Sequence, residues 1–391
     1  MRNSVSENAP LVKIAIGLMA GMVAERYVVS LPLFPLLVAL TLTAFCLWRH
    51  AYLQSAVIIS CFVVLGALLM RQAQQEPPQA SRLERSKTYF LSQRARLLDR
   101  LSENGVDGDA YAVVAAMALG DKAQLTKELK NTYAVTGAAH ILALSGLHLS
   151  IIYTLLSLLL YRRRWQVVSQ VLIISCIWLF VFLVGMSASV VRSAVMLTVY
   201  ALLSLGDRNR MSVNTLAFTA IVMLMVHPLS LFDIGFQLSF LAVLSILVWY
   251  PVFESLLPQS FLKSHRVVRW LWSLLGVSCA AQLGTAPLVA YYFGRFSSLF
   301  LMTNFVVIPF APLILYLALA VLLVPSLAYL LIYIVSALNT VLAFVASISW
   351  VSIEELHPSI LQIIMVYVII AAAYLLIDRL SGTSGMFRRK M

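Results

Sequence analysis

The chain has 391 residues, 61% of them hydrophobic and only 11% charged, with a formal net charge of +12. Soluble globular chains run at roughly 45–50% apolar and about 25% charged, so this composition excludes an ordinary soluble enzyme. The positive balance is not by itself a nucleic-acid signal. Helical membrane proteins collect Lys and Arg on their cytoplasmic loops, and here most of the cations flank apolar runs.

A helix that crosses the hydrocarbon core takes about 20 mostly apolar residues. By that measure the chain offers about twelve segments, near 11–29, 31–48, 52–70, 140–160, 165–185, 189–205, 212–226, 229–250, 268–292, 298–323, 326–350 and 359–377. The runs are long and lack the alternation of a membrane barrel. The predicted fold is therefore an all-α polytopic transmembrane bundle with several broken or re-entrant helices. Residues 1–71 read as N-terminal transmembrane helices, 72–137 as an extracytoplasmic or interfacial helical segment, and 138–391 as the transmembrane core. Within the middle piece, Gln72 to Pro78 is a linker. Residues 81–104 form a charged helix with a partial apolar stripe at Leu83, Phe90, Leu97, Leu98 and Leu101. Ala110 to Leu119 is a short apolar helix stopped at Gly120-Asp121. The leading stretch Leu11 to Val29 carries Lys13, Glu25 and Arg26 and lacks a small-residue cleavage site, so it reads as a retained span rather than a signal peptide.

Orientation follows from the short loops. With the N-terminus inside, the cytoplasmic side collects Arg2, Lys13, Arg49, Arg162, Arg163, Arg164, Arg208, Arg210, Lys263, Arg266, Arg269, Arg379, Arg388, Arg389 and Lys390. The opposite side keeps Arg26, Arg71 and Arg295, with the acidic pair Glu354 and Glu355. Both termini are thus expected in the cytoplasm. Cys46, Cys61, Cys176 and Cys279 lie in or beside apolar runs with no CxxC, and only Cys46 has a nearby His, His50 at i+4. They read as packing residues, and no metal or cofactor is expected.

Polar groups inside lipid are costly and concentrate at functional sites. The first cluster runs from His140 to His148. Ser145 and His148 share a helical face, and Gly146 permits a local break. Helix-packing hydrogen bonds compete here with a catalytic Ser–His pair, which lacks an evident orienting acid. Arg192 falls in the first turn of its span and either snorkels outward or pairs with Asp233. Asp233 and Gln237 share one face, beside Phe236 and Phe240 and near Gly235. Gln282, Gly284 and Pro287 precede Tyr291 and Tyr292, and Asn304 precedes Pro309 and Pro312; these glycines and prolines are predicted to break their helices. Together the polar and helix-breaking residues outline a central polar pathway wrapped by plainer helices. On these grounds a pore, a polar-solute secondary transporter and an intramembrane hydrolase built on Ser145 or Asp233 all stay open.

Several of these strings resemble, in order, the membrane channel module of ComEC family competence proteins. They are Ala118-Leu-Gly-Asp121, Gly137 through His140 and Ser145-Gly146-Leu-His148, Ser189-Val-Val-Arg192-Ser-Ala194, His227-Pro228 through Asp233 to Phe240, Gln282-Leu-Gly-Thr-Ala-Pro287, and Tyr292-Phe-Gly294 through Asn304 to Pro309. The resemblance implies an inner-membrane channel, not an enzyme, that passes single-stranded DNA into the cytoplasm during natural transformation. Its polar pathway would hold His140, Ser145, His148, Arg192, Asp233, Gln237, Gln282 and Asn304, with Phe236, Phe240, Tyr291 and Tyr292 for base stacking and Gly146, Gly235, Gly284, Pro287 and Pro309 as structural breaks. A DNA receptor, a cytoplasmic translocase and a nuclease would act in trans, since the sequence holds neither a P-loop nor an HxHxDH string. The segment 72–137 is too short and too helical for the OB-like domain common in the family. The chain thus resembles the channel module alone, and a vestigial channel fragment is the remaining alternative.

Overall fold

The computed structural model describes residues 10–27, 33–46, 51–75, 83–162, 165–205, 212–348 and 350–382. Arg2, Arg49, His50, Arg163, Arg164, Arg208, Arg210, Arg388, Arg389, Lys390 and the end of the predicted linker at Pro77-Pro78 lie outside the described residues.

In chain order the helices are α1 (Pro10–Tyr27), α2 (Leu33–Cys46), α3 (Ala51–Gln75), α4 (Leu83–Glu103), α5 (Gly108–Leu119) and α6 (Lys127–Val135). Then come α7 (Gly146–Leu160), α8 (Gln166–Leu183), α9 (Ala188–Ser204), α10 (Val213–Val226), α11 (Ile234–Ser255) and α12 (Gln259–Ser264). The last four are α13 (Arg266–Phe293), α14 (Phe300–Val321), α15 (Ala328–Ala346) and α16 (Ile360–Gly382). A two-residue ladder, β1 (Phe296–Ser297) antiparallel to β2 (Ser352–Ile353), adds a strand pair that the all-α expectation did not contain.

Seven helices among the described residues are long and apolar enough to cross a membrane: α3, α8, α11, α13, α14, α15 with its preceding turn, and α16. The other five expected segments also fold as helices. Of these, α1 carries Lys13, Glu25 and Arg26, while α2, α7, α9 and α10 have 14, 15, 17 and 14 residues. At 1.5 Å per residue, 14 residues cover about 21 Å of a core about 30 Å thick. The apolar helices make this a helical membrane protein.

The expected breaks are corrected in part. The helix α13 runs unbroken for 28 residues through Gly284 and Pro287, and α14 for 22 through Pro309 and Pro312. A proline removes one donor and crowds the preceding turn, but a neighbouring helix can satisfy the carbonyls that are freed. In that turn the Tyr367 hydroxyl of α16 donates to the Gly284 carbonyl at 2.7 Å. Gly284 serves contact: a Cβ there would lie 2.7 Å from the Leu241 carbonyl and 2.6 Å from the Ser245 Cβ of α11. Gly146 begins α7 instead of interrupting it, and Gly235 sits in the first turn of α11.

The chain divides into two compact units, with α4, α7 and α11 running through the division. The first holds Met1–Arg94 and Leu149–Phe240. Its core gathers Leu18, Met22, Met70, Leu224 and Phe236. Gly21 and Gly66 let α1 and α3 approach backbone to backbone: a Cβ on Gly21 would fall 1.8 Å from the Val63 carbonyl oxygen, and one on Gly66 2.1 Å from that of Leu18. Small residues at such crossings are how membrane helices gain packing without a hydrophobic driving force. Leu11 N–H donates to Asn214 Oδ1 at 3.0 Å, which sets the starts of α1 and α10 side by side. Trp178 Nε1–H donates to Thr198 Oγ1 at 3.1 Å, tying α8 to α9 as an antiparallel pair.

The second unit holds Ala95–His148 and Leu241–Met391. The apolar α5 is buried on nearly every side against α14 and α15, with Val113, Val114, Ala116 and Met117 fully covered. Polar contacts pin the neighbouring segments. Asn104 Nδ2 donates to the Val321 carbonyl at 2.9 Å, and Tyr133 donates to Asn339 Oδ1 at 2.7 Å. Burial pushes the Tyr133 phenol up, so it stays protonated as the donor. A second cluster joins Trp249, Val252 and Ala280 to Ile370 and Tyr374 of α16.

Candidate functional site

The sequence-predicted residues separate into three groups. In the first unit, Arg192 lies on α9 with its side chain 6% exposed, and its Nη1 stands 3.6 Å from Asp233 Oδ2. Burial replaces the outward snorkelling considered from sequence. Asp233 closes the 3₁₀ turn Pro228–Phe232 and caps α11: its Oδ1 accepts from the Gly235 N–H at 2.7 Å. A carboxylate at a helix N-terminus also meets the positive end of the macrodipole. Gly235 has a steric task, because a Cβ there would come within 2.8 Å of Arg192 Nη2. Gln237 turns back along the same corner and donates to the Leu231 carbonyl at 3.1 Å. Phe236 is a core residue, 3% exposed, with its ring stacked on Phe240 at 4.3 Å.

The satisfaction of Arg192 is incomplete. A guanidinium carries five N–H donors and stays ionised. Among the described residues, Asp233 at 3.6 Å is the polar partner seen, and the buried Nε has none. Charge-assisted N–H···O contacts normally close to about 2.7–2.9 Å. The same unit shows what a satisfied pair looks like: Arg71 Nε and Nη2 meet the two carboxylate oxygens of Glu25 at 2.7 and 3.1 Å.

The second group belongs to the second unit and corrects the sequence expectation most. His140 ends a 3₁₀ turn and its Nδ1 lies 3.0 Å from the Gly137 carbonyl. A turn and bend follow, and α7 begins only at Gly146, so His140, Ser145 and His148 do not ride one continuous helix. The reason is a cap. Ser145 sits at the N-cap and His148 at N3, where its Nδ1 accepts from the Ser145 N–H at 3.3 Å, with Ser145 Oγ at 3.1 Å. This is the back-reaching half of a capping box, with His in the usual place of Glu or Gln. An Nδ1 that accepts places the imidazole proton on Nε2, which is buried with no partner among the described residues. Among the described residues no carboxylate orients this His as a Ser–His hydrolase would need. If the pair caps the helix, His148→Ala should lower stability by about 1–2 kcal/mol, while His148→Gln, whose carbonyl can reach the same N–H, should restore most of it. Thermal unfolding in detergent reads the difference. Labelling of Ser145 by a serine-reactive probe would instead revive the hydrolase.

The third group lies on α13 and α14. Asn304 Nδ2 donates to Ser278 Oγ at 3.3 Å, and Gln282 is half-buried one turn further along α13. Thr303, beside Asn304, is buried with its hydroxyl unpartnered among the described residues. Tyr291 and Tyr292 close α13, 38% and 36% exposed, edge to face at 5.0 Å.

Sequence reasoning missed Phe232, which carries Arg26 over its ring at 4.4 Å and Tyr27 at its edge. It also missed the Glu25–Arg71 fork. The signal was present in Arg26 and Arg71, cations on the side where topology calls for none.

These features describe a polytopic helical membrane protein with a buried, under-satisfied arginine at one helix corner. A family model described as Competence protein matches residues 117–380, more than half of the chain, and the chain belongs to that family, the ComEC family of competence proteins. It is 30% identical over 232 residues to ComE operon protein 3 of Bacillus subtilis, covering 58% of this chain and 28% of that protein. It is 23% identical over 227 residues to Recombination protein 2 of Haemophilus influenzae, covering 56% of this chain and 29% of that one. An uncharacterized protein of Aquifex aeolicus is 31% identical over 197 residues, covering 50% and 44%. The chain thus spans less than half the length of these relatives. No solved structure matches it.

Proposed function

We propose that this chain is the membrane-embedded conduit through which a single strand of DNA reaches the cytoplasm during natural transformation. Membership of the competence family supports DNA uptake as the process. The observation that carries the conduit reading is Arg192, a buried permanent cation with unfilled donor capacity, held in place by Asp233 and Gly235. A polyanion crossing lipid requires such donors in a low-dielectric setting, where each is stronger than in water. The role is that of a path and not of an enzyme.

In this reading about twelve segments cross the inner membrane with both termini in the cytoplasm. The contacts of the first unit favour alternation. Glu25 near the end of α1 meets Arg71 near the end of α3, which makes those two helices parallel, as an in–out–in–out passage requires. A DNA receptor, a translocase and a nuclease would be supplied by other proteins of the competence machinery.

Deletion followed by a transformation assay that tracks labelled DNA tests the proposal. The deletion strain should bind DNA at its surface and deliver none to the cytoplasm, with recovery when the chain is restored. Normal delivery in the deletion strain would end the conduit reading. Coupled uptake of a defined small solute into vesicles would point to a transporter instead.

A further inference from the structure

The corner at the start of α11 holds more than the Arg192–Asp233 pair. Phe232 and Asp233 are consecutive, and each carries a guanidinium: Arg26 lies over the Phe232 ring at 4.4 Å, and Arg192 stands 3.6 Å from the Asp233 carboxylate. Arg71 is the third arginine of this end of the unit, and Glu25 neutralises it in a fork. Of the remaining two cations, Arg192 faces Asp233 and Arg26 rests on the Phe232 ring. One oxygen of that acid is committed to capping α11. Asp233 is 43% exposed at its side chain, so the corner is open on its acid side while Arg192 is buried behind it.

Topology does not account for these arginines. On the orientation proposed above they sit at the extracytoplasmic end, where the positive-inside rule predicts depletion. Fold stability does not account for Arg192 either. Burying a guanidinium costs several kcal/mol, and a pair repays that only with close geometry and filled hydrogen bonds. Here the separation is long and Nε is orphaned, whereas Glu25–Arg71 shows that the same unit can build a close fork. A buried cation left short of acceptors, beside the N-terminus of α11, is arranged for an incoming anion with several oxygens.

We infer that Arg26, Phe232, Asp233 and Arg192 form a docking site for phosphodiester groups. Arg192 takes a phosphate oxygen on its unfilled donors, and Arg26 on its Phe232 platform takes a neighbouring phosphate. Asp233 competes with the ligand for Arg192, so it acts as a placeholder that keeps binding reversible. The same chemistry is offered by a DNA strand and by the headgroup of an anionic phospholipid; assigning it to DNA rests on the conduit reading.

The test uses the full chain in nanodiscs of phosphatidylcholine alone or with phosphatidylglycerol. The probes are a short fluorescent oligothymidylate and its uncharged methylphosphonate analogue. The phosphodiester strand should bind in neutral nanodiscs and the methylphosphonate strand should not. Arg26→Gln and Arg192→Gln should each flatten the slope of log K against log salt by about 0.7, one phosphate contact on a single strand. Asp233→Asn, which keeps an N-cap while removing the competing charge, should tighten binding. Weaker binding in Asp233→Asn, or salt slopes unchanged in both arginine variants together with unchanged phosphatidylglycerol retention by native mass spectrometry, would overturn the site. Loss of retained phosphatidylglycerol with unchanged oligonucleotide binding would keep the phosphodiester site and make lipid its occupant. Should Arg192→Gln fail to fold, Arg26→Gln, on an exposed side chain, carries the test alone. The two readings also fail separately. Normal uptake in the arginine variants of a strain whose deletion abolishes uptake sinks the site as a DNA dock and leaves the conduit. Normal uptake in the deletion strain sinks the conduit and leaves the phosphodiester site.

Discussion

Asp233→Ala and Arg192→Ala are both expected to abolish DNA uptake, but for different physical reasons and with different effects on the protein. Arg192 is 6% exposed at its side chain and Asp233 43%, so the pair is lopsided. Removing the carboxylate strands a permanent cation in the interior, which costs about 3–5 kcal/mol when one partner of a buried pair is deleted. It also removes the cap from α11, worth about 1 kcal/mol. Asp233→Ala should therefore reduce both the amount of folded protein and its melting temperature. Removing Arg192 leaves a carboxylate that water can still reach, a much smaller penalty. Arg192→Met, which keeps the aliphatic stem packed, should melt close to the native protein and still deliver no DNA. The measurement pairs membrane-fraction thermal stability with delivery of labelled DNA. Native uptake by Arg192→Met would show that the cation is dispensable. Equal melting of the Asp233→Ala and Arg192→Met proteins would show that burial of Arg192 does not govern the pair.

Which parts of this were legible beforehand follows from what kind of physics each rests on. Hydropathy is a sum over neighbours in sequence, so the expected apolar segments, the charged α4 and the short α5 reappear as helices, seven of the segments long enough to cross a membrane, and the end of α5 at Gly120, in left-handed conformation at φ 73°, follows from a local rule. The Arg192–Asp233 pair was a fair expectation because two charges in apolar runs have few other ways to be neutralised. Pro287 and Pro309 misled because a membrane helix can carry a proline where neighbouring helices pack against the crowded turn. Near Pro287 that neighbour is Tyr367, some eighty residues on, whose hydroxyl meets the Gly284 carbonyl, and nothing local announces it. His140 to His148 misled in the opposite sense. An apolar run was read as one helix, while Ser145-x-x-His148 is a start signal with an unusual residue at N3. Phe232 was passed over because a ring that supports a cation looks, in sequence, like any other core aromatic.

Gly21→Leu should be the most damaging single substitution in the first unit, and Gly17→Ala serves as its mild counterpart on the same helix. The added Cβ at Gly21 would overlap the Val63 carbonyl oxygen at 1.8 Å, with the carbonyl carbon at 2.7 Å. Backbone cannot rotate away as a side chain can, so the axes of α1 and α3 must separate. At Gly17 the added Cβ would meet Ile59 Cγ2 at 3.1 Å and the Ile59 carbonyl oxygen at 3.2 Å, tight contacts that a shift of a few tenths of an ångström relieves. Overpacking of this kind costs about 1–3 kcal/mol and more where backbone is the obstacle. Separation of α1 from α3 also stretches the Glu25–Arg71 fork, whose Nε–Oε1 contact is 2.7 Å. A partly buried charge pair depends on that closeness, because its desolvation cost is recovered only in contact. Arg26 is the neighbour of Glu25 on α1, so the same movement draws it off Phe232. The expected outcome is a large fall in melting temperature for Gly21→Leu, a small one for Gly17→Ala, and loss of DNA delivery in Gly21→Leu even below its melting point. A Gly21→Leu protein that melts with the native one would mean that α1 and α3 do not cross backbone to backbone, and the anchoring of the Arg26–Phe232 corner would then have to come from α10 and the 228–232 turn alone.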